Sequence, residues 1–236
     1  MNIIVTGASR GIGYELVKQY SSLEGSNIVA ISRNKEKLEM LQEECSINNC
    51  TSKVHIVCCD LSDEQQVVAA VNQIKTLFNS VDILVNNAGA IVNKPFETIT
   101  AADLNHAYQV NVFSVVRLIQ ELLPLLSSSE KAHVVNISSM GGFQGSIKFA
   151  GLSAYSSSKA ALACLTECLA EEYKESKIAF NCLALGATQT EMLEEAFPGY
   201  KAPISAKEMA NYIANFSTTA HLTMNGKVLP VSMSNP

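Results

Sequence analysis

The stretch that most restricts the fold stands at the start of the chain. Asn2-Ile-Ile-Val-Thr6 is a short β-branched run, and it leads directly into Gly7-Ala-Ser-Arg-Gly-Ile-Gly13 and an amphipathic segment to about Leu23. A strand that turns on glycines into a helix presents backbone N–H groups at the helix N-terminus, where negative charge is favoured. The glycines allow a tight turn and let a pyrophosphate come close to the main chain. The spacing is G-x-x-x-G-x-G, different from the G-x-G-x-x-G of the common dinucleotide fingerprint. Its position, after a strand and before a helix, makes it a phosphate-binding turn.

The alternation continues along the chain. Asn27 to Ser32 reads as a second strand, and Lys35 to about Cys45 as a charged amphipathic helix. Lys53 to Cys59 is a third strand ending at Asp60, and Asp63 starts a helix whose acidic first turn suits the helix dipole. Val81 to Asn86 is strand four, and Thr100 caps one long helix reaching about Leu126. His133 to Ile137 is strand five, and an Ala- and Leu-rich helix carrying Lys159 follows. Lys177 to Leu183 is strand six, Gly186 to Pro203 is less regular, Ser205 to Phe216 is a helix, and Lys227 to Val231 is a last short strand.

Nearly continuous apolar strands between helices imply a parallel sheet covered on both faces. The expected fold class is α/β: a single-domain, doubly wound, Rossmann-type parallel sheet of about seven strands over residues 1–236. No repeat, low-complexity segment or proline-rich linker divides it. Ligands of such sheets sit beyond the carboxyl ends of the strands, near the switch in strand order.

Composition narrows the partners. The net charge of −5 lacks the basic stripe of a nucleic-acid binder, and no apolar run is expected to approach the roughly 18 or more residues of a membrane span. The first strand follows Met1 so closely that no signal peptide is expected, and the chain is read as cytoplasmic. The seven cysteines (45, 50, 58, 59, 164, 168 and 182) form no CxxC pair, so reduced thiols packed as small apolar residues are expected, and no metal site.

The strand ends carry the chemistry. An NAD site places a carboxylate about 20 residues on, at the end of strand two, to hold the ribose 2′-hydroxyl. Here Ser32 and Arg33 stand there, with Arg10 in the glycine turn. Two guanidinium groups suit a 2′-phosphate, so NADP(H) is preferred over NAD(H). Asp60 is placed to accept from an adenine amino group, and Asn86-Asn87-Ala88-Gly89 offers small residues where a cofactor would cross. Strand five ends in Ser138-Ser139. Tyr155 and Lys159, four apart, share one helix face, and an adjacent cation is expected to lower the phenol pKa toward acid–base use.

Thr6-Gly-Ala-Ser-Arg-Gly-Ile-Gly13, Asn86-Asn-Ala-Gly89, Asn111, the serine pair and Tyr155-x-x-x-Lys159 together resemble the short-chain dehydrogenase/reductase family along essentially the whole chain. The resemblance implies a catalytic set of Asn111, Ser139, Tyr155 and Lys159. Tyr155 would exchange a proton with the substrate oxygen while the nicotinamide exchanges a hydride with the carbon. Lys159 would lower the tyrosine pKa and bind the nicotinamide ribose. Ser139 would polarise the carbonyl, and Asn111 would hold a relay water. Implied cofactor contacts are Gly7, Ser9, Arg10, Gly11, Ile12, Gly13, Arg33, Asp60, Leu61, Asn87, Tyr155, Lys159, Thr188 and Thr190. The family also implies a homodimer or homotetramer, with the long helices meeting their symmetry mates.

Two features depart from the family pattern. Leu185 stands where a proline is usual, and the 16-residue step from Ser139 to Tyr155 is about three longer than usual, which leaves Ser138 as a rival to Ser139. The expected function is NADPH-dependent hydride transfer to or from a small carbonyl or secondary alcohol. Two alternatives stay open: a 3-oxoacyl thioester reductase, and a catalytically silent NADP-binding regulatory protein.

Overall fold

β-Branched runs build the sheet, and the segments with helical apolar spacing cover it. The computed structural model describes residues 1–48 and 51–233, so Cys50 lies outside the described residues. The strands are β1 (Asn2–Thr6), β2 (Asn27–Ser32), β3 (Lys53–Cys58), β4 (Ile83–Asn86), β5 (Ala132–Ser139), β6 (Ile178–Leu185), the short pair β7 (Thr188–Gln189) and β8 (Ile204–Ser205), and β9 (Lys227–Val231). Seven form one parallel sheet, as the sequence predicts, and their order is β3-β2-β1-β4-β5-β6-β9. The order reverses between β1 and β4, which opens a crevice at their carboxyl ends.

Helices α1 (Gly11–Ser21), α2 (Lys35–Asn48), α3 (Glu64–Leu77), α4 (Ala101–Tyr108), α5 (Ser114–Ser127), α6 (Ser153–Glu172), α7 (Glu191–Ala196) and α8 (Ala206–Thr219) make up the two outer layers. One core joins Ile4, Val29 and Leu84 of the sheet to Val71 and Ile74 of α3, Leu118 and Leu122 of α5, and Leu162 of α6. The other joins Ile3, Val5 and Ile28 to Leu16 and Tyr20 of α1, Leu38 of α2, and Ile213 and Phe216 of α8. Each fully buried aliphatic side chain contributes about 1.5–3 kcal/mol, so both faces of the sheet are firmly held. On the outer rim, β9 pairs with β6 alone among the described residues, and it carries Pro230 in mid-strand.

Four expectations need correction. The long helix over 100–126 is broken into α4 and α5 by a π-helical turn, Gln109–Phe113, and that turn contains Asn111. The run Ala101–Ser127 is also long and apolar enough to cross a membrane, against the expectation that none comes close. In the fold it packs into the core through Leu118, Ile119, Leu122, Leu125 and Leu126. The stretch expected to be irregular after β6 contains β7 and α7. Finally, Cys45, Cys59 and Cys182 are buried as expected, but Cys58, Cys164 and Cys168 are exposed.

Candidate active site

Most helix starts are closed by their own side chains. Asp63 caps α3, Thr100 and Asp103 form a capping box on α4, and Ser205 and Glu208 do the same on α8. At α1 the N-cap residue Arg10 makes no side-chain cap and the first turn has no acidic residue. Its N–H groups are therefore available to an anion. Gly7 turns the chain there with φ of 68°, and a Cβ on Gly13 would lie 2.3 Å from Gly7 O, so neither position accepts a side chain. Asn87 ties the end of β4 to this turn: its Nδ2 donates to Thr6 O at 2.9 Å and its N–H to Thr6 Oγ1 at 3.0 Å.

A cleft of about 600 Å3 runs from this turn across the carboxyl ends of the strands. Gly7, Ser9, Arg10, Gly11 and Ile12 line one end together with Arg33, Asp60, Leu61 and Asn87. Ser139, Tyr155, Lys159, Thr188 and Thr190 line the other. Of the residues predicted for the site, Gly13 and Asn111 lie behind its wall. At the far end Ser32 Oγ donates to Ser9 Oγ at 2.7 Å. Burial alone would raise the Asp60 pKa, but hydrogen bonds from Ser62 N and Oγ, with Arg33 nearby, hold it below the usual range. Arg10 is not free there as expected: both its terminal nitrogens contact the Glu195 carboxylate of α7.

At the near end, Tyr155 sits in the first turn of α6, which begins at Ser153, and hydrogen-bonds Ser139. Both serines line the cleft, but Ser138 commits its hydroxyl to Lys159 O at 2.8 Å, which leaves Ser139 as the serine beside the Tyr155 hydroxyl. Lys159 is almost fully buried; its Nζ donates to Ile137 O at 2.7 Å and lies 5.9 Å from the Tyr155 ring centroid. Burial pushes the lysine down to about 8, with a small opposing effect from Cys182. Contrary to expectation, the phenol pKa is not lowered: burial raises it, and only the Ser139 hydrogen bond works against that. The phenol therefore keeps its proton at neutral pH.

Asn111 is fully buried and its amide is committed. Oδ1 accepts from Ala90 N at 2.8 Å, while Nδ2 donates to Ala90 O and to Ser158 Oγ, each at 2.9 Å. A Cβ on Gly89 would lie 3.3 Å from both Asn111 Oδ1 and Lys159 Nζ, so this glycine separates the two. Leu185, in the usual proline position, extends β6 by pairing with both Ser139 and Val231. Sequence reasoning missed His106 and Tyr200 as lining residues. Neither carries a local signal, since both read as surface positions of their segments.

A seven-stranded parallel sheet with an uncapped glycine turn at one end of its crevice and a Ser–Tyr–Lys group at the other defines a dinucleotide-type oxidoreductase fold. The short chain dehydrogenase family model matches residues 1–201, and the chain belongs to that family of oxidoreductases. It is 30% identical over 239 residues to the 3-oxoacyl-[acyl-carrier-protein] reductase of Aquifex aeolicus, covering 97% of this chain and 94% of that one. It is 31% identical over 215 residues to a fatty acyl-CoA reductase of Acinetobacter baylyi, covering 89% of this chain and 70% of the relative. A short chain dehydrogenase from Burkholderia cenocepacia, solved in complex with NADP, superposes with a TM-score of 0.86 at 25% identity, covering 98% and 95% of the two chains.

Proposed function

We propose that the chain is an NADPH-preferring reductase of small carbonyl compounds, or a dehydrogenase of the matching secondary alcohols. The observation that carries this reading is one cleft with a phosphate-ready helix start at one end and a protonated tyrosine at the other. The residues present fit a nicotinamide dinucleotide: Gly7, Ser9, Gly11 and Ile12 would hold its pyrophosphate, Asp60 and Leu61 its adenine, Arg10 and Arg33 a 2′-phosphate, and Lys159, Thr188 and Thr190 its nicotinamide end. Bound there, the dinucleotide supplies the hydride.

The protein's own part is to position the carbonyl and supply its proton. Negative charge develops on the carbonyl oxygen during reduction, and a donor held beside it stabilises that charge. Ser139 holds and polarises this oxygen, and the Tyr155 hydroxyl, kept protonated by burial, delivers the proton. Lys159, about 8 in pKa and anchored to Ile137 O, is poised to return a proton to the phenolate. Asn111 positions the group through the Ala90 backbone and Ser158.

Tyr155→Phe removes the donor without changing the shape of the cleft. Turnover should fall by about 10²–10⁴-fold, the usual worth of a positioned acid–base group. NADPH titration, read by quenching of protein fluorescence or by calorimetry, should remain nearly unchanged and tighter than NADH. Near-normal turnover would overturn the tyrosine assignment, and tighter NADH would overturn the cofactor preference. A second reading, 3-oxoacyl thioester reduction, is supported by the near-full-length match to the Aquifex reductase. A panel of ketones and acyl thioesters with NADPH absorbance as readout separates the two.

A further inference from the structure

α7 crosses the mouth of the cleft as a strap pinned on both banks. On the phosphate bank Glu195 holds the Arg10 guanidinium through both carboxylate oxygens, one contact at 3.1 Å. On the opposite bank Asn93 Nδ2 donates to Ala196 O at 2.9 Å. Thr190 caps the strap, accepting from Leu193 N at 3.2 Å, and lies close enough to Gly11 that a Cβ there would come within 3.3 Å of its methyl. Met192, Leu193 and Phe197 form the underside and line the cleft.

The two guanidinium groups at the phosphate end are therefore not equivalent. Arg10 is paired with Glu195 and also feels Glu191, whereas Arg33 has the Asp60 carboxylate nearby. A carboxylate gripping an arginine fork uses the same two-pronged geometry as a phosphate. The Arg10 and Glu195 side chains are 37% and 60% exposed, so their attraction is screened and the pair is easily exchanged.

We propose that Glu195 is a specificity-determining residue that occupies Arg10 in place of a 2′-phosphate. A 2′-phosphorylated dinucleotide displaces it; one with a free 2′-hydroxyl leaves it in place. Glu195 thus narrows the preference for NADPH and links the 2′-phosphate to release of the strap on that bank, while NADH leaves the strap latched. The proposal rests on the nicotinamide-dinucleotide reading above.

Glu195→Gln keeps the side-chain size and removes the charge. Dissociation constants for NADPH and NADH are measured by calorimetry on the wild type, Glu195→Gln, Arg10→Ala and the double variant. Glu195→Gln should tighten NADPH about threefold to fivefold, the scale of an exposed ion pair. NADH should change by less than that, and the gain should vanish in the Arg10→Ala background. An unchanged NADPH constant, an equal gain for both dinucleotides, or a gain that persists without Arg10 overturns the proposal while leaving the dinucleotide reading intact. A wild-type protein that binds neither dinucleotide overturns both.

Discussion

His133 lies far from the cleft, yet it sets an acid limit for the fold. Its ring is fully buried: Nδ1 sits 2.8 Å from Ser217 O, and Nε2 sits 2.9 Å from Asn181 Nδ2. A carbonyl can only accept, so Nδ1 carries the proton and Nε2 receives one from the amide. Burial drives the histidine pKa down to about 4, and the neighbouring His221 adds to the effect. Between the ordinary value of 6.5 and about 4, the unfolded chain takes up a proton that the folded chain refuses. Stability should therefore fall with falling pH across that window, by about 3 kcal/mol in all. Urea midpoints measured at successive pH values should show this loss, and His133→Gln should flatten it; an unchanged slope would rule it out. At this scale Tyr155, Lys159 and Ser139 were legible in the sequence, because a local spacing and a strand end mark them. The state of the phenol was not, because it depends on burial and on where Lys159 Nζ is directed. The commitment of Arg10 was equally hidden: its partner is 185 residues away in the chain.

Between residues and the whole molecule, segments position the group. The π turn Gln109–Phe113 inserts an extra residue into an otherwise regular helix, and such insertions recur at functional sites. Its effect here is to turn the Asn111 amide onto Ala90 rather than along the helix surface. Apolar periodicity could not reveal this, since α4 and α5 each keep the ordinary helical spacing on their own side of the turn. α7 was missed for another reason. It has six residues, below the length at which periodicity speaks, and apart from its Thr190 cap it is held by long-range contacts of Glu195 and Ala196. The lengthened segment after β5 is packed hard against α6: a Cβ on Gly142 would lie 2.6 Å from Ala160 N and 2.7 Å from Lys159 C. Gly142→Ala must push the start of α6 away, along with Tyr155 and Lys159. It should cost about 1–3 kcal/mol of stability, as overpacking does, and lower turnover as well. Thermal unfolding and initial rates check both; an unchanged melting temperature with normal rates would contradict the packing.

The topology was the most legible level of all. Seven alternating apolar runs fixed a doubly wound parallel sheet, because β-branched strands separated by helices have few other ways to bury both faces. Only the edges escaped: strand boundaries shifted by a residue or two, and the β7–β8 pair is too short to show a pattern. Pro230 at the outer rim has a consequence for how copies of the chain meet. Gly186 N donates to Val231 O, so Val231 faces β6 and its neighbour Pro230 turns its nitrogen outward. With no N–H to offer there, the rim lacks a donor that another chain would need to extend the sheet. Pro230→Val restores that donor and should raise the light scattering of a concentrated solution at unchanged helical content; equal scattering would show the proline to be idle. The strand that completes the sheet thus carries on its open edge a residue that disfavours a further strand.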